Sequence, residues 1–304
     1  MSRSFLPLCC LFTIFIFLYF GFLERFLVGV EIRYSGWTWE KSKELEFFEA
    51  WHECAESELN FEDDPNRFWD QFRYRMERCD NLNDVENRLE IEDFVNSDET
   101  KHAILPKTMS DTSDNILVTI GIGKDIEAEL QFRERISGIG NLPKFYGADP
   151  IIHPNSDLYS KIGQYFPFAI GNKAGFSRAS VLYEDKYEIQ NVVHVDFLYF
   201  LDDMLGLRYI DNLWMDSEYS EYELFDAFYK EGRLENAGIV ICQINLEVHN
   251  PSLEQKMQFK EFVSHILADR RYGMFRNVNY SHYRMFLVNL ENDYCVQKYF
   301  SSYK

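Results

Sequence analysis

A short aliphatic run ending in two closely spaced glycines constrains this chain more than any other feature. Ile116-Leu117-Val118-Thr119-Ile120 has the composition of a fully buried strand and runs straight into Gly121-Ile122-Gly123. Glu127 to Arg135 then has helical composition, and Lys144 to Ala148 reads as a second strand ending at Asp149-Pro150. A glycine-rich turn after a buried strand lets a ligand approach the backbone, with the amino terminus of the next helix nearby. An acid roughly 20–30 residues further on, at the tip of the second strand, can accept hydrogen bonds from both ribose hydroxyls. Together these features describe a pocket for a nucleoside-bearing cofactor at the carboxyl edge of a sheet. Gly121, Gly123, Asp125 and Asp149 are its candidate cofactor-binding residues. The competing reading is an ordinary structural strand-to-helix turn.

The texture on either side extends this unit. Further strand candidates are Phe168 to Ile170, Leu213 to Met215, Gly238 to Leu246 and Met285 to Leu290. Helical candidates are Phe197–Leu205, Tyr219–Glu231 and Leu253–Asp269. Alternation of this kind predicts an α/β fold, a mostly parallel sheet covered on both faces. Tyr283–Leu290 and Tyr294–Tyr299 flank Glu291-Asn292-Asp293 and predict a closing antiparallel hairpin. Upstream, residues 31–95 are helical and acidic, and 96–114 read as a polar connector interrupted by Ala103-Ile104-Leu105. Three zones result: 1–30, an anchor and stalk; 31–114, a small helical region with its linker; and 115–304, the α/β domain.

The cofactor class follows from one missing glycine. A dinucleotide fingerprint wants a third glycine to clear the pyrophosphate, and that position is Ile126. S-adenosylmethionine has no pyrophosphate and does not need it. At this point the chain resembles the FkbM-type methyltransferases, a class I S-adenosylmethionine-dependent family, over residues 115–250. Val118 to Gly123 is similar to its glycine-rich first motif, and Tyr146-Gly147-Ala148-Asp149-Pro150 to its second. Phe168 to Gly175 is similar to its strand and turn Ala-x-Gly-Asn/Asp-x-x-Gly. Leu201-Asp202-Asp203-Met204-Leu205 and Leu213 to Glu218 parallel its Leu-Asp-Asp-Leu and Lys-Ile-Asp-x-Glu-Gly segments. Val240 to His249 resembles its late strand ending in Glu-x-His. The resemblance implies a Rossmann-like class I methyltransferase sheet, S-adenosylmethionine as cofactor, and O-methylation, often of sugar hydroxyls.

Methyl transfer is an in-line displacement at a sulfonium, so the protein mainly positions the acceptor oxygen about 3 Å from the methyl carbon. A base helps when the nucleophile is a hydroxyl. The resemblance places Asp216 on the acceptor side, as base or orienting group, with Glu218, Glu247 and His249 as weaker candidates. Two positions depart from the family pattern. Thr119 replaces the acid two residues before the first glycine, and Tyr219 replaces the glycine after Asp-x-Glu. These departures support the alternative of a catalytically inactive luminal binding protein. A metal- and sugar-nucleotide-dependent glycosyltransferase would want Asp-x-Asp, which is absent. His153, His194, His249 and His282 show no zinc-ligand spacing, so the sequence predicts no metal site.

The amino terminus bears on location. Phe5 to Leu23 carries no charged side chain and is just long enough to cross a bilayer core of about 30 Å. A cleaved signal peptide is the rival, but no Ala-x-Ala pattern follows the run. Arg3 and the free amine precede it, which predicts a single-pass type II protein with its body in the secretory lumen. Cleavage would instead give a secreted protein. Cys54 and Cys79 lie on the apolar stripes of two predicted helices, 40–59 and 66–79, and are expected to be disulfide-bonded. Cys242 and Cys295 fall in strand-like runs and are expected to be core thiols. Asn279-Tyr280-Ser281 is a glycosylation sequon. Fifty acidic against 31 basic residues give a net charge of −19, which disfavours nucleic acid as a partner. The expected partners are a membrane, through the amino-terminal helix, and a small-molecule or glycan acceptor.

Overall fold

Two amphipathic helices precede the sheet, in a computed structural model that describes residues 46–59, 63–107, 114–183 and 186–300. Helix α1 (Glu46–Leu59) buries Phe47, Trp51, Ala55 and Leu59, one residue every fourth position and hence one stripe. Helix α2 (Pro65–Leu82) starts with Pro65 in its first turn, and the Asp64 carboxylate caps it by accepting from the Asn66 N–H. Its buried stripe is Phe68, Phe72, Met76 and Cys79. Among the described residues no helix is long and apolar enough to cross a membrane; the expected span, Phe5–Leu23, lies outside them.

The remaining order is β1 (Glu92–Val95), β2 (Thr100–Ala103), β3 (Asp114–Ile120), helix α3 (Glu127–Gly138), β4 (Leu142–Ala148), β5 (Gln164–Phe166) and β6 (Ala169–Gly171). There follow β7 (Gly175–Tyr183), β8 (Lys186–Asp196), β9 (Tyr209–Met215), β10 (Val240–Val248), helix α4 (Leu253–Asp269), β11 (Tyr272–Asn279), β12 (Tyr283–Asn289) and helix α5 (Asp293–Tyr299). Seven strands form one sheet in the order β11-β12-β10-β9-β3-β4-β5. Only β12 runs antiparallel to its neighbours, so the sheet is mostly parallel, as the sequence predicts. The strand order reverses between β3 and β9. In open α/β sheets ligands bind at that switch point, outside the carboxyl ends of the strands.

Strand β3 shows how both faces are covered. Leu117 packs in a cluster with Phe132 of α3, Phe145 and Trp214, while Val118 and Ile120 join the larger core on the other face. The helices α1 and α2 belong to that larger core. Trp69 and Phe72 meet Phe259 of α4 and Tyr283 of β12 with ring centroids 4.5–5.3 Å apart. The described residues of α1, α2 and the sheet thus share one core and fall in one compact unit.

Several expectations change, among them the helix read at Tyr219–Glu231, where two 3₁₀ turns form instead, Ser220–Glu223 and Phe225–Phe228. The segment read as a polar connector contains β2, which the buried amides of β10 clamp to the sheet. Asn245 accepts from the His102 N–H and donates to its carbonyl, and Gln243 does the same for Ile104. The carboxyl-terminal hairpin is β11–β12, whereas Tyr294–Tyr299 is helical, its first turn capped by the Asn292 side chain. Cys242 and Cys295 are joined in a disulfide, because α5 folds back onto β10 instead of continuing as a strand. Cys54 and Cys79 are also disulfide-bonded, linking α1 to α2. A buried Asp211 holds α5 further: its carboxylate receives Lys298 Nζ at 2.7 Å, the Tyr299 hydroxyl at 2.8 Å and the Ile116 N–H at 2.8 Å.

Candidate functional site

The chain turns at Gly121 because nothing else fits there. Its φ is +80°, and the Asp216 backbone crosses so closely that its N–H donates to the Ile120 carbonyl at 2.8 Å. Gly123 has φ +63° with nothing within 4 Å of a Cβ, so here only the backbone conformation favours glycine. The Asp149 carboxylate, at the end of β4, accepts from the N–H groups of Ile122 at 2.9 Å and Gly123 at 3.4 Å through Oδ2. Its Oδ1 accepts from Ile151 at 2.7 Å. Burial raises the Asp149 pKa, and these amide donors oppose the rise.

Gly121, Gly123, Asp149 and Asp216 all line one cleft at the switch point. Asp125 does not. Its carboxylate accepts from Glu127 N–H and Ser97 N–H, both at 2.8 Å, so it ties the start of α3 to the β1–β2 turn. The far wall was not legible in sequence. The β7–β8 hairpin, with β6 forming a separate three-stranded sheet, supplies Ala179 to Leu182, Tyr187 and His194. That hairpin exposes Phe176, Ile189 and Val193, an apolar surface beside the cleft mouth. Gly175 to Tyr183 shows no strict alternation and no turn motif stands at Glu184-Asp185, so the sequence carries no periodic signal for this hairpin.

Beyond β9 and β10 the acceptor-side candidates converge. His249 is only 3% exposed, and its Nε2 lies 3.3 Å from Asp216 Oδ1 and 3.4 Å from Glu218 Oε2. Its Nδ1 lies 3.0 Å from Glu221 Oε1, a carboxylate that also accepts the His249 N–H at 2.8 Å. Glu221 is fully buried and was not a candidate in sequence; its position in a 3₁₀ turn after Tyr219 carries no periodic signal. Burial opposes a charge on His249, but Glu221 first, then Asp216 and Glu218, hold its pKa at about 9. Burial and the repulsion of Glu247 push Asp216 well above the usual carboxylate range. Glu247 is buried and engaged by Arg284 at 3.3 Å.

The two departures from the family pattern have structural accounts. Thr119 points away from the cleft: its hydroxyl lies 3.3 Å from Glu129 Oε1 of α3 and 3.0 Å from the Tyr159 hydroxyl. A side chain at this position therefore contacts α3, not a ligand. Tyr219 keeps the left-handed backbone that glycine favours, with φ +77° directly after Glu218 at φ +48°. Its ring leans on His249 at 5.0 Å. Two consecutive non-glycine residues in this region carry strain of order 1–3 kcal/mol each, a feature that concentrates at functional sites. The sequon Asn279 sits at the β11–β12 turn, beside Tyr280, which is 78% exposed.

Comparison with known proteins agrees with this geometry. The profile of the methyltransferase FkbM domain matches residues 55–284, which begin within α1 and end in β12. An uncharacterized protein of Caenorhabditis elegans is 25% identical over 275 residues, covering 86% of this chain and 83% of that protein. No solved structure matches the chain.

Proposed function

The chain belongs to the FkbM methyltransferase family, and from that premise we propose that it transfers a methyl group from S-adenosylmethionine to a hydroxyl of a glycan or another secretory-pathway acceptor. The observation that carries the reading is the convergence of Gly121, Asp149 and Asp216 on one cleft at the switch point of the sheet. The residues fit the cofactor. The open space around Gly123 leaves room for close approach to the backbone, and Asp149 lines the same cleft as a carboxylate acceptor for a ribose hydroxyl.

The cofactor supplies an electrophilic methyl group on sulfur. Asp216, at the end of β9, faces the same cleft and is the residue to orient an acceptor hydroxyl or take its proton, since a carboxylate of raised pKa is the better base. His249 stands beside it at 3.3 Å and is itself paired with Glu218. The luminal location of this reading rests on the uncharged run Phe5–Leu23 and on two disulfides, which persist in oxidising compartments. A single-pass type II anchor accounts for the run, and a cleaved leader would make the protein secreted.

Calorimetric titration of S-adenosylhomocysteine into the full-length chain tests the proposal. Micromolar binding that Asp149→Asn weakens at least about tenfold is expected, equivalent to the loss of one good hydrogen-bonding partner. A folded chain that binds neither S-adenosylhomocysteine nor S-adenosylmethionine would sink it, and a non-catalytic binding protein of the same fold would take its place.

A further inference from the structure

We propose that Asp216 Oδ1, Glu218 Oε2 and His249 Nε2 form a site for a divalent cation of the Zn²⁺ or Mn²⁺ class at the acceptor end of the cleft. The three donors come from two strand ends, β9 and β10, and lie within 4.8 Å of one another. The His249 nitrogen stands 3.3 and 3.4 Å from the two oxygens. Ligands about 2.1 Å from a tetrahedrally coordinated ion stand roughly 3.4 Å apart, so the spacing is that of donors sharing a metal.

Two independent observations point the same way. Asp216 Oδ1 is buried and has no hydrogen-bond partner, so its lone pairs are unsatisfied at the point where the ion would sit. The other nitrogen of His249 is held by Glu221, which fixes the ring orientation with Nε2 turned toward Asp216 and Glu218, where an ion would displace its proton. That carboxylate–histidine arrangement is the usual outer support of a metal-bound imidazole. The charge balance agrees. Asp216, Glu218, Glu221, Glu247 and Glu99 crowd here against two permanent cations, Lys101 and Arg284, and a divalent ion would offset most of the excess negative charge.

A second trio, Glu247, His249 and His282, shares the histidine. Glu247 is already neutralised by Arg284, and neither it nor His282 lines the cleft. Asp216 and Glu218 do, so the remaining coordination position of an ion between them opens toward the ligand. Resting on the methyltransferase reading, the acceptor is then a hydroxyl compound whose oxygen reaches the ion, and transfer is lost on chelation.

The test is calorimetric titration of Zn²⁺, and separately of Mn²⁺ followed by electron paramagnetic resonance, into chelator-stripped full-length protein. S-adenosylhomocysteine is titrated into the same samples. One ion per chain is expected, with affinity lowered at least about tenfold by Glu218→Gln or Asp216→Asn and about 10–100-fold by Glu221→Gln. Glu223→Gln, on the same turn, leaves it unchanged. Circular dichroism checks that each variant folds, and Glu218→Gln, partly exposed, serves if Asp216→Asn does not. Absence of ion binding with S-adenosylhomocysteine binding intact overturns the inference alone. Ion binding insensitive to both substitutions but lost in His282→Asn overturns it in favour of the second trio. Ion binding without cofactor binding overturns the proposed function and leaves the site standing.

Discussion

A Cβ on Gly121 would stand 2.0 Å from the carbonyl oxygen of Asp216. The turn after β3 and the end of β9 are thus locked against each other by an absent side chain, and the candidate cofactor loop and the candidate acceptor residue share one contact. Gly121→Ala must push the Asp216 backbone away while also holding φ +80°. Gly123→Ala meets no atom within 4 Å and strains only its own φ. Chemical denaturation should show Gly123→Ala costing about 1–2 kcal/mol, and Gly121→Ala exceeding it by a further ~1–3 kcal/mol from the clash. Equal costs would mean that the close approach is not maintained in solution.

Glu129, under the glycine loop beside Thr119, is 4% exposed, and burial raises its pKa from 4.5 to about 7. The native state then binds the proton more tightly than the unfolded chain. Stability falls as pH rises from about 4.5 to about 7 and is level above that. The fall contributed by this group is a few kcal/mol, on the order of 1.4 kcal/mol per pH unit. Glu129→Gln should remove it, so the variant gains on the wild type steadily across pH 5–7 in thermal unfolding. A difference independent of pH would place Glu129 in a solvated environment.

The disulfides close loops with sequence separations of 25 and 53. Chain entropy assigns each about 3–4 kcal/mol. Peptide mapping without reductant should recover Cys54–Cys79 and Cys242–Cys295, and Cys295→Ala should lower the unfolding midpoint at least as much as Cys54→Ala. Recovery of free Cys242 and Cys295 would restore the expectation of core thiols.

Asp211 is completely buried and receives Lys298, itself 7% exposed. Removing one partner of such a pair leaves an uncompensated charge and costs roughly 3–5 kcal/mol. Asp211→Asn should therefore destabilise the protein by that amount and raise hydrogen exchange in α5 and at the start of β3, where the Ile116 N–H loses its acceptor. An effect under about 1 kcal/mol would show that Lys298 escapes to solvent.

Where a signal was local and periodic, it was readable. The stripe at Phe47, Trp51, Ala55 and Leu59, the β3–Gly-x-Gly–α3 unit, Pro65 opening α2 and the helix Leu253–Asp269 follow from spacings of two or four residues and from turn chemistry. Asp149 could be singled out because it ends a strand after the glycine turn, whereas Asp216, Glu218 and His249 were marked by the family resemblance. What those residues touch was not readable. Asp125 and Asp149 are both acids near the glycine turn, yet Asp149 faces the cleft and Asp125 ties the start of α3 to the β1–β2 turn. Glu221 reaches His249 from a turn without periodicity, and His282 arrives from a different hairpin. Cys242 meets Cys295 only because α5 reverses onto the sheet. Periodicity is a property of consecutive residues, and so the sequence determines which face a side chain takes within its own element. The pairing of faces from distant elements depends on how helices and strands pack to exclude water from a shared core, and that the tertiary structure alone decides.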